Sequence, residues 1–225
     1  DQQPIIGGEA TDEFPAVGRI TSGCTATLIH PRAMLTASHC CQRAGTCAKV
    51  KIGGRTINTR FTNHPEFKAA PDGGITPSVD VSILFLEQSV DDIPLRGLST
   101  TLPAVGRPIR FVGFGCSAFG GAGSGVKRTG TNVVSFFGST VGGNDRIRFA
   151  DTFGWKSEPQ VTLDGGTPND DANICPGDSG GPTFWEEGGK LVVAGVHSLV
   201  GPTFGYSALV TANRDFIEAQ LAKIE

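Results

Sequence analysis

The sequence lacks the features of membrane-spanning and nucleic-acid-binding proteins. None of its 225 residues lie in a run of about 18 apolar residues, so no transmembrane helix is expected. It also lacks a basic block, because 19 Lys and Arg stand against 22 Asp and Glu, for a net charge of −3. Neither nucleic acid nor an anionic membrane is therefore an expected partner. The first residues, Asp1–Pro4, lack the pattern of a signal peptide, so we expect any such peptide to have been removed.

The usual zinc motifs are missing as well. The sequence has no C-x-x-C or H-E-x-x-H pattern and only four histidines, so neither a metal nor another cofactor is expected. Its six cysteines, an even number without metal-binding spacing, instead predict disulfide bonds. Because disulfides form in oxidising compartments, this favours a secreted, extracellular protein.

Glycine and proline are abundant. The 32 glycines and 14 prolines make up about a fifth of the chain, against roughly 12% on average, which favours short strands joined by turns. Apolar or alternating segments bounded by turn residues are predicted to be strands. These segments are Thr25–Ile29, Met34–Thr36, Thr56–Phe61, Val81–Leu86, Ile109–Phe114, Val133–Phe137, Arg146–Phe149, Val161–Leu163, Thr183–Trp185 and Leu191–Val196. Their spacing predicts an all-β sandwich or barrel.

Three other segments bear on the organisation of the chain. The stretch Thr100–Pro108, with two prolines and a glycine between apolar runs, predicts a boundary between two halves. Near the C-terminus, Ile217, Leu221 and Ile224 recur at helical spacing, which predicts a helix. The glycine-rich stretch Gly113–Gly125 has no G-K-[ST] sequence, so a flexible surface loop is favoured over a phosphate cradle.

Three segments contain the residue types needed for acyl transfer. In Gly177–Pro182, Ser179 is a candidate nucleophile, which would need a base and oxyanion donors, and its flanking glycines leave room for both substrate and backbone N–H groups. In Leu35–Cys40, His39 is a candidate base beside a cysteine. Asp80 opens an apolar strand and could orient an imidazole. The chain order of these three residues is one in which the acyl-transfer triad occurs.

The serine segment also matches G-x-S-x-G, the nucleophile elbow of α/β hydrolases. That elbow needs a helix after the serine, whereas Pro182–Trp185 predicts a strand. The later acid and histidine would have to be Glu186 or Glu187 with His197, which lie in the next hairpin. This alternative is therefore less favoured.

On these motifs the chain resembles the trypsin/chymotrypsin-like serine proteases. The matching segments are Ile5–Gly8 for the mature N-terminus, Thr36–Cys40 for the histidine motif, Asp80–Leu86 for the aspartate motif and Gly177–Pro182 for the serine motif. The resemblance implies an all-β, chymotrypsin-like fold of two six-stranded antiparallel β-barrels with a C-terminal α-helix. Its boundaries would be an N-terminal extension at 1–4, the first barrel at 5–105, the second at 106–210 and the helix at 211–225, with one peptidase domain over 5–225.

The resemblance also implies residue roles. Ser179 would be the nucleophile, His39 would shuttle its proton, and Asp80 would hold the histidine tautomer. The backbone N–H groups of Gly177 and Ser179 would form the oxyanion hole, and Ser198 would support Asp80. The implied function is that of a secreted, monomeric serine endopeptidase acting through an acyl-enzyme, with protein or peptide substrates and proteinaceous inhibitors as partners.

The resemblance extends to the cysteines. It implies a Cys24–Cys40 bridge beside the histidine, after which Cys41–Cys47 is expected to close a local loop, with free thiols as the alternative. The family's own bridges in the second barrel are not reproduced. A Cys116–Cys175 bridge is expected as their substitute.

Activation is the first departure from the family pattern. In the family a freed Ile amine, here that of Ile5, pairs with the acid before the serine, here Asp178. No Lys or Arg precedes Ile5, so trypsin-like cleavage of the Pro4–Ile5 bond is not expected. Either another protease cleaves that bond, or this form is an immature precursor, or Asp178 finds a different cation. A precursor-like form is favoured.

Specificity is the second departure. By resemblance, Asn173 takes the base of the substrate pocket, Ile174 lies beside it, and Val200 and Gly205 form its walls. With no acid at the base, the pocket is expected to prefer small or medium uncharged P1 side chains over Lys or Arg. His197 has two interpretations: a strand histidine satisfied by the backbone, or, as in glutamyl endopeptidases, a receptor for an acidic P1 side chain.

A rival interpretation keeps the fold without the chemistry. A catalytically silent or zymogen-locked binding protein on the same fold would carry many of the same motifs. Because His39, Asp80 and Ser179 are all present, the enzyme is favoured.

Overall fold

In the computed structural model, fourteen strands and one α-helix form within the described residues, which are 5–43, 45–69, 74–102, 104–117, 123–137, 152–156, 172–201 and 204–224. The all-β prediction with a C-terminal helix is confirmed. The predicted extension 1–4 and the predicted strands Arg146–Phe149 and Val161–Leu163 lie outside the described residues. The same part of the chain contains no helix with the length and apolarity that a membrane crossing needs.

The strands are short and follow the turn-rich composition. They are β1 (Glu9–Ala10), β2 (Val17–Ile20), β3 (Thr25–His30), β4 (Ala33–Thr36), β5 (Lys49–Ile52), β6 (Arg55–Asn63), β7 (Ser82–Leu86), β8 (Pro108–Gly113), β9 (Arg128–Val133), β10 (Phe136–Phe137), β11 (Thr152–Lys156), β12 (Pro182–Glu187), β13 (Lys190–Gly201) and β14 (Phe204–Leu209), and helix α1 is Arg214–Leu221. The 3₁₀ turn Ser38–Cys41 contains His39, and the 3₁₀ turn Pro77–Val79 directly precedes Asp80.

The first half of the chain closes into a six-stranded antiparallel barrel. Its strand order is β2-β3-β4-β7-β6-β5, so every strand is paired on both sides. Strand β5 shows the period-two pattern that closure requires, since Val50 and Ile52 are buried while Lys49 and Lys51 face solvent. Closure leaves no free edge among the described strands of this barrel.

The second half forms an eight-stranded antiparallel sheet in the order β1-β9-β8-β12-β13-β14-β11-β10. The two strands beyond the six expected are the two-residue strands β1 and β10 at its edges. Strand β1 lies within 5–105 in sequence, yet Glu9 and Ala10 pair with Thr129 and Arg128 of β9. The start of the chain therefore joins the second sheet, because it supplies the partner that the outer edge of β9 lacks.

One predicted strand is divided. The segment Val133–Phe137 ends β9 at Val133 and then forms the separate strand β10. The break follows from a change of partners, since the Val134 N–H donates to the Arg107 carbonyl and the Val134 carbonyl accepts from the Gly106 N–H. The helix is also shorter than predicted: Ile217 and Leu221 lie on it, but Ile224 follows its end.

One carboxylate makes several hydrogen bonds to the connection between the two halves. Glu187, at the end of β12, accepts hydrogen bonds from the Ser99 hydroxyl, from the backbone N–H and hydroxyl groups of Thr100 and Thr101, and from the Trp185 indole. Partial burial alone would raise the pKa of Glu187, but these hydrogen bonds together hold it far below the ordinary 4.5.

We expect Glu187→Gln to lower the melting temperature at pH 7 by roughly 2–8 °C, because it replaces charge-assisted hydrogen bonds by weaker ones. A depressed pKa stabilises the fold fully above the unfolded value of 4.5, and this stabilisation declines as the pH falls below it. Thermal unfolding should therefore show a smaller difference in melting temperature between the variant and the wild type at pH 3 than at pH 7. Glu186→Gln, with an exposed side chain, is the control. An equal effect in both variants would contradict the assignment.

Candidate active site

A buried carboxylate fixes the candidate base. Asp80 follows the 3₁₀ turn Pro77–Val79 and is fully buried. Its Oδ2 lies 2.6 Å from His39 Nδ1, and its Oδ1 accepts from the His39 backbone N–H at 2.8 Å. The first contact sets the imidazole orientation, and the second fixes the turn that carries it. Because Nδ1 is engaged, Nε2 is the ring nitrogen left to exchange a proton with a nucleophile.

The second sheet completes the environment of Asp80. The Ser198 hydroxyl, from β13, donates to Asp80 Oδ2 at 2.6 Å. The ladder between β13 and β14 shifts register between His197 and Leu199, a bulge that changes the direction of the Ser198 side chain. The structure thus brings Ser198 to Asp80, as the resemblance implied.

The serine turn rests on the first barrel. Thr25 donates its backbone N–H to the Ser179 carbonyl and its hydroxyl to the Gly177 carbonyl, both at 2.9 Å. Gly180 has φ of +79°, and a Cβ there would lie 2.1 Å from the Thr36 hydroxyl oxygen. Only glycine permits this approach, which places the half-exposed Ser179 against β3 and β4, at the end of which His39 lies.

Two backbone donors in this turn are available to a ligand. Gly177 has φ of +101°, a conformation that glycine adopts readily. Neither the Gly177 nor the Ser179 N–H donates to another residue of the described ranges. Such a pair of donors beside a nucleophile can stabilise an oxyanion.

Three disulfides surround the site: Cys24–Cys40, Cys41–Cys47 and Cys116–Cys175. They are the three expected pairs, of which the resemblance itself implied Cys24–Cys40. Cys24–Cys40 fixes the turn that carries His39, and Cys116–Cys175 links the glycine-rich stretch to the segment before Ser179. The His39 ring and the sulfurs of Cys24 and Cys40 lie within 4.8 Å of one another. Oxidised sulfurs offer no thiolate, so this group does not have the chemistry of a metal site.

Asp178 is a second buried carboxylate, adjacent to the serine. Its Oδ1 accepts from the Gly115 N–H at 2.7 Å and its Oδ2 from the Cys175 N–H at 2.9 Å. Burial raises the pKa of Asp178 to about 7 in spite of these donors and the nearby Arg128. Ile5 is fully buried in the core of the second sheet, and it makes no hydrogen bond to Asp178.

The predicted pocket base is occupied by the chain itself. Asn173 is fully buried, and its Oδ1 accepts from the Trp155 indole N–H at 2.9 Å while its Nδ2 donates to the Gly201 carbonyl at 3.2 Å. A Cβ on Gly205 would lie 2.3 Å from the Trp155 ring. Val200 lies directly opposite Gly205 in the β13–β14 ladder and packs on the same core cluster. The indole therefore fills the space between the predicted base and walls.

The remaining pocket residues lie in the protein interior. Ile174 is buried in the core of the second sheet. His197 is fully buried, with its Nδ1 3.1 Å from the Asp178 carbonyl and its ring edge-on to Phe111 and Trp155. Burial lowers the pKa of His197 to about 3, so the ring is neutral and Nδ1 donates to the carbonyl. The geometry favours the interpretation as a strand histidine bonded to the backbone through Nδ1, while Nε2 has no hydrogen-bond partner among the described residues.

Three residues that shape the site do not lie in any sequence motif. Thr25 is an ordinary strand residue, Arg128 begins a strand, and Trp155 lies in a segment that was not predicted as a strand. Each acts through contacts distant in sequence. The one available signal was the rarity of tryptophan, since the chain has two.

Comparison with known proteins identifies relatives that cover most of the chain. The family model for trypsin matches residues 5–213. A trypsin-like protease of Streptomyces glaucescens is 27% identical over 202 residues, which cover 86% of this chain and 72% of the relative. A trypsin of Saccharopolyspora erythraea is 28% identical, with 88% and 93% covered.

Solved structures share the fold. HBP superposes with a TM-score of 0.72 at 20% identity, and human heparin binding protein with a TM-score of 0.72 at 19% identity. In both cases 98% of each chain is covered. At these identities the similarity establishes the architecture alone.

We expect acid to reduce the stability advantage of the wild type over His197→Gln. The lowered pKa of His197 means that only the unfolded chain takes up this proton below pH 6.5, so stability falls as the pH falls towards 3. Denaturant unfolding should show the advantage shrinking by about 2 kcal/mol between pH 7.5 and pH 5. His30→Gln serves as the control. An advantage independent of pH would show that His197 takes up its proton as readily in the folded state as in the unfolded chain.

Proposed function

The chain belongs to the trypsin family, and from this premise we propose that it is a secreted serine endopeptidase that hydrolyses peptide bonds through an acyl-enzyme. The observation that carries the proposal is the hydrogen-bond system on Asp80, which joins His39 from the first barrel to Ser198 from the second sheet. A carboxylate buried in this way has the position needed to orient a catalytic imidazole.

The mechanism follows from the arrangement of donors and acceptors. Ser179 Oγ attacks the scissile carbonyl carbon while His39 Nε2 takes its proton, and Asp80 stays ionised beside the resulting imidazolium. The carbonyl oxygen gains the negative charge and accepts from the Gly177 and Ser179 N–H groups. Collapse breaks the C–N bond, and His39 protonates the leaving amine. Water, activated by His39, then hydrolyses the ester.

The preferred P1 side chain in this proposal is small and uncharged. Trp155 occupies the space above Asn173, so a long side chain has no room to enter. An acidic P1 side chain is less favoured, because a neutral His197 whose Nδ1 proton is already donated has no second proton to offer a carboxylate. Lys and Arg at P1 are also disfavoured, because Asn173 at the predicted base of the pocket carries no negative charge.

Secretion is part of the same proposal. Three disulfides in the described residues favour an oxidising compartment. Protein substrates, proteinaceous inhibitors and a monomeric state remain predictions from the resemblance.

The filled pocket also favours a second candidate, a catalytically silent binding protein on this fold. A pocket base closed by Trp155 would suit a chain that no longer anchors a substrate side chain. The two candidates differ in whether Ser179 is nucleophilic, which can be measured without knowing the substrate.

We expect a fluorophosphonate probe to label the wild-type protein, because it reports an activated serine independently of P1 preference. Ser179→Ala should abolish labelling. Asp80→Asn should slow it by a factor on the order of 10⁴, because the tautomer of His39 would no longer be held. Mass spectrometry of the labelled peptide checks the position.

The control is Asp91→Asn, an exposed carboxylate on a loop of the first barrel. It should label at the wild-type rate. Absence of labelling in the wild type, both intact and with residues 1–4 removed, would favour the silent binding protein.

We expect Trp155→Leu to shift the P1 preference from Ala towards larger apolar side chains such as Leu. Removing the larger part of the indole opens space between Asn173 and Gly205, and discrimination by apolar fit is worth roughly tenfold or more in kcat/KM. Cleavage of a peptide library by both proteins measures the ratio. Phe153→Leu, an equivalent core truncation on the same strand, should leave it unchanged. An unaltered preference in Trp155→Leu would mean that the indole does not limit the pocket.

A further inference from the structure

The two candidate oxyanion donors belong to peptide units whose carbonyl groups are hydrogen-bonded inside the protein. The Ser179 N–H shares its peptide unit with the Asp178 carbonyl. In the same way, the Gly177 N–H shares its unit with the Pro176 carbonyl. The C=O and N–H groups of a planar trans unit point in opposite directions. A group that holds one of these carbonyls therefore also sets the direction of the corresponding donor.

Backbone groups hold both carbonyls in part. The Pro176 carbonyl accepts from the Cys116 N–H at 3.1 Å, so a separate segment of the chain fixes this unit. The Asp178 carbonyl accepts from the Gly181 N–H at 2.8 Å. Gly181 lies three residues further along the same turn, so this second contact moves with the turn. The unit that carries the Ser179 N–H therefore needs a contact from outside the turn.

His197, on β13, supplies that contact. Its Nδ1 lies 3.1 Å from the Asp178 carbonyl oxygen. Because a carbonyl oxygen only accepts, the single proton of the neutral ring must be on Nδ1. The His197 backbone binds the same turn, since its carbonyl accepts from the Gly180 N–H and its N–H donates to the Gly181 carbonyl, both at 2.9 Å. Side chain and backbone of one residue thus join the turn to the second sheet.

The surrounding residues hold the His197 ring in place. The ring is fully buried and packs edge-on against Phe111 and Trp155, at centroid distances of 5.5 and 6.2 Å. A Cβ on Gly181 would lie 2.8 Å from the Asp178 oxygen and 3.1 Å from Nδ1. Glycine at this position therefore leaves the space between the ring and the carbonyl open. Nε2 has no hydrogen-bond partner among the described residues, so the ring is bonded there through Nδ1 alone.

We infer that His197 is a positioning residue whose Nδ1–H holds the Asp178 carbonyl in the interior and thereby directs the Ser179 N–H towards the oxyanion. This inference rests on the proposed function and adds a positioning group to its oxyanion hole. It applies whether or not the Pro4–Ile5 bond must be cleaved, because His197 binds the carbonyl of Asp178 and not its carboxylate. A hydrogen bond to the carbonyl of a peptide unit also polarises that unit, which makes its N–H a stronger donor.

Two variants of matched shape isolate the contribution of the Nδ1 proton. His197→Asn places an amide N–H near the position of Nδ1, whereas His197→Leu has a similar branched shape without a donor. Each protein is assayed both as the full chain and as the chain beginning at Ile5. The probe is p-nitrophenyl acetate, a small ester that needs no P1 pocket, and rapid mixing separates its binding from acylation.

His197→Leu should lower the acylation rate constant about tenfold or more, since a whole oxyanion donor is worth roughly 10²–10³ and this one is only misdirected. The dissociation constant of the ester should stay unchanged, because the oxyanion forms after binding. His197→Asn should recover most of the rate. Val193→Ala, a buried truncation on the same strand, should react like the wild type.

NMR gives a readout that does not depend on activity. The ¹⁵N spectrum of the wild-type imidazole should show the neutral tautomer protonated at Nδ1. The amide ¹H and ¹⁵N resonances of Ser179 should shift in His197→Leu, return towards the wild-type values in His197→Asn and stay in place in Val193→Ala. If His197 had only a packing role, the Asn and Leu variants would shift these resonances equally.

A wild-type ring protonated at Nε2 would overturn the inference, and this result needs no variant to fold. Equal acylation rates in His197→Asn and His197→Leu would overturn it as well. If neither form of the wild type is acylated, the proposed function fails. The resonances of Ser179 then test the placement separately, and equal shifts in the two variants would overturn it.

Discussion

A carboxylate buried where two sheets meet must be hydrogen-bonded by both of them, and this constraint organises the molecule around Asp80. An ionised group removed from water is strongly unfavourable unless its lone pairs are occupied. The His39 backbone and ring supply donors from one side and the Ser198 hydroxyl supplies another from the opposite half. A slip between the two halves would remove the Ser198 hydroxyl from Asp80, so this hydrogen bond favours one relative position of the halves.

The serine turn obeys the same logic with backbone groups. Thr25 binds both the Gly177 and the Ser179 carbonyls, so the nucleophile is carried by one half of the chain and anchored by the other. The Cys24–Cys40 disulfide begins at the residue before Thr25 and ends at the residue after His39. The anchor of the serine and the turn of the histidine are thus fixed to one another covalently.

The catalytic motifs of the site could be predicted from the sequence, but the side chain that fills its predicted pocket could not. His39, Asp80 and Ser179 lie in short motifs whose residue types indicate their chemistry, and alternation in a segment such as Thr56–Phe61 indicates a strand directly. The indole that fills the pocket is different, because Trp155 meets Asn173 and Gly205 only through a ladder between distant segments. No local sequence pattern encodes the contacts of Trp155 with Asn173 and Gly205.

The glycine-rich stretch shows how a composition signal can be misread. It was expected to be a flexible surface loop, yet Gly113 and Gly115 line the buried carboxylate of Asp178. A Cβ on either residue would overlap that carboxylate, so the glycines are required by a tertiary contact. The low-complexity composition hides this requirement, since glycines needed for space look the same in sequence as glycines that give flexibility.

Asp178 and His197, which are in contact through the Asp178 carbonyl, affect the pH dependence of stability in opposite ways. As the pH falls from about 6.5 to 4, protonation of Asp178 stabilises the folded state, whereas the exclusion of a proton from His197 destabilises it. The contributions of these two buried groups to the pH dependence of stability therefore have opposite signs.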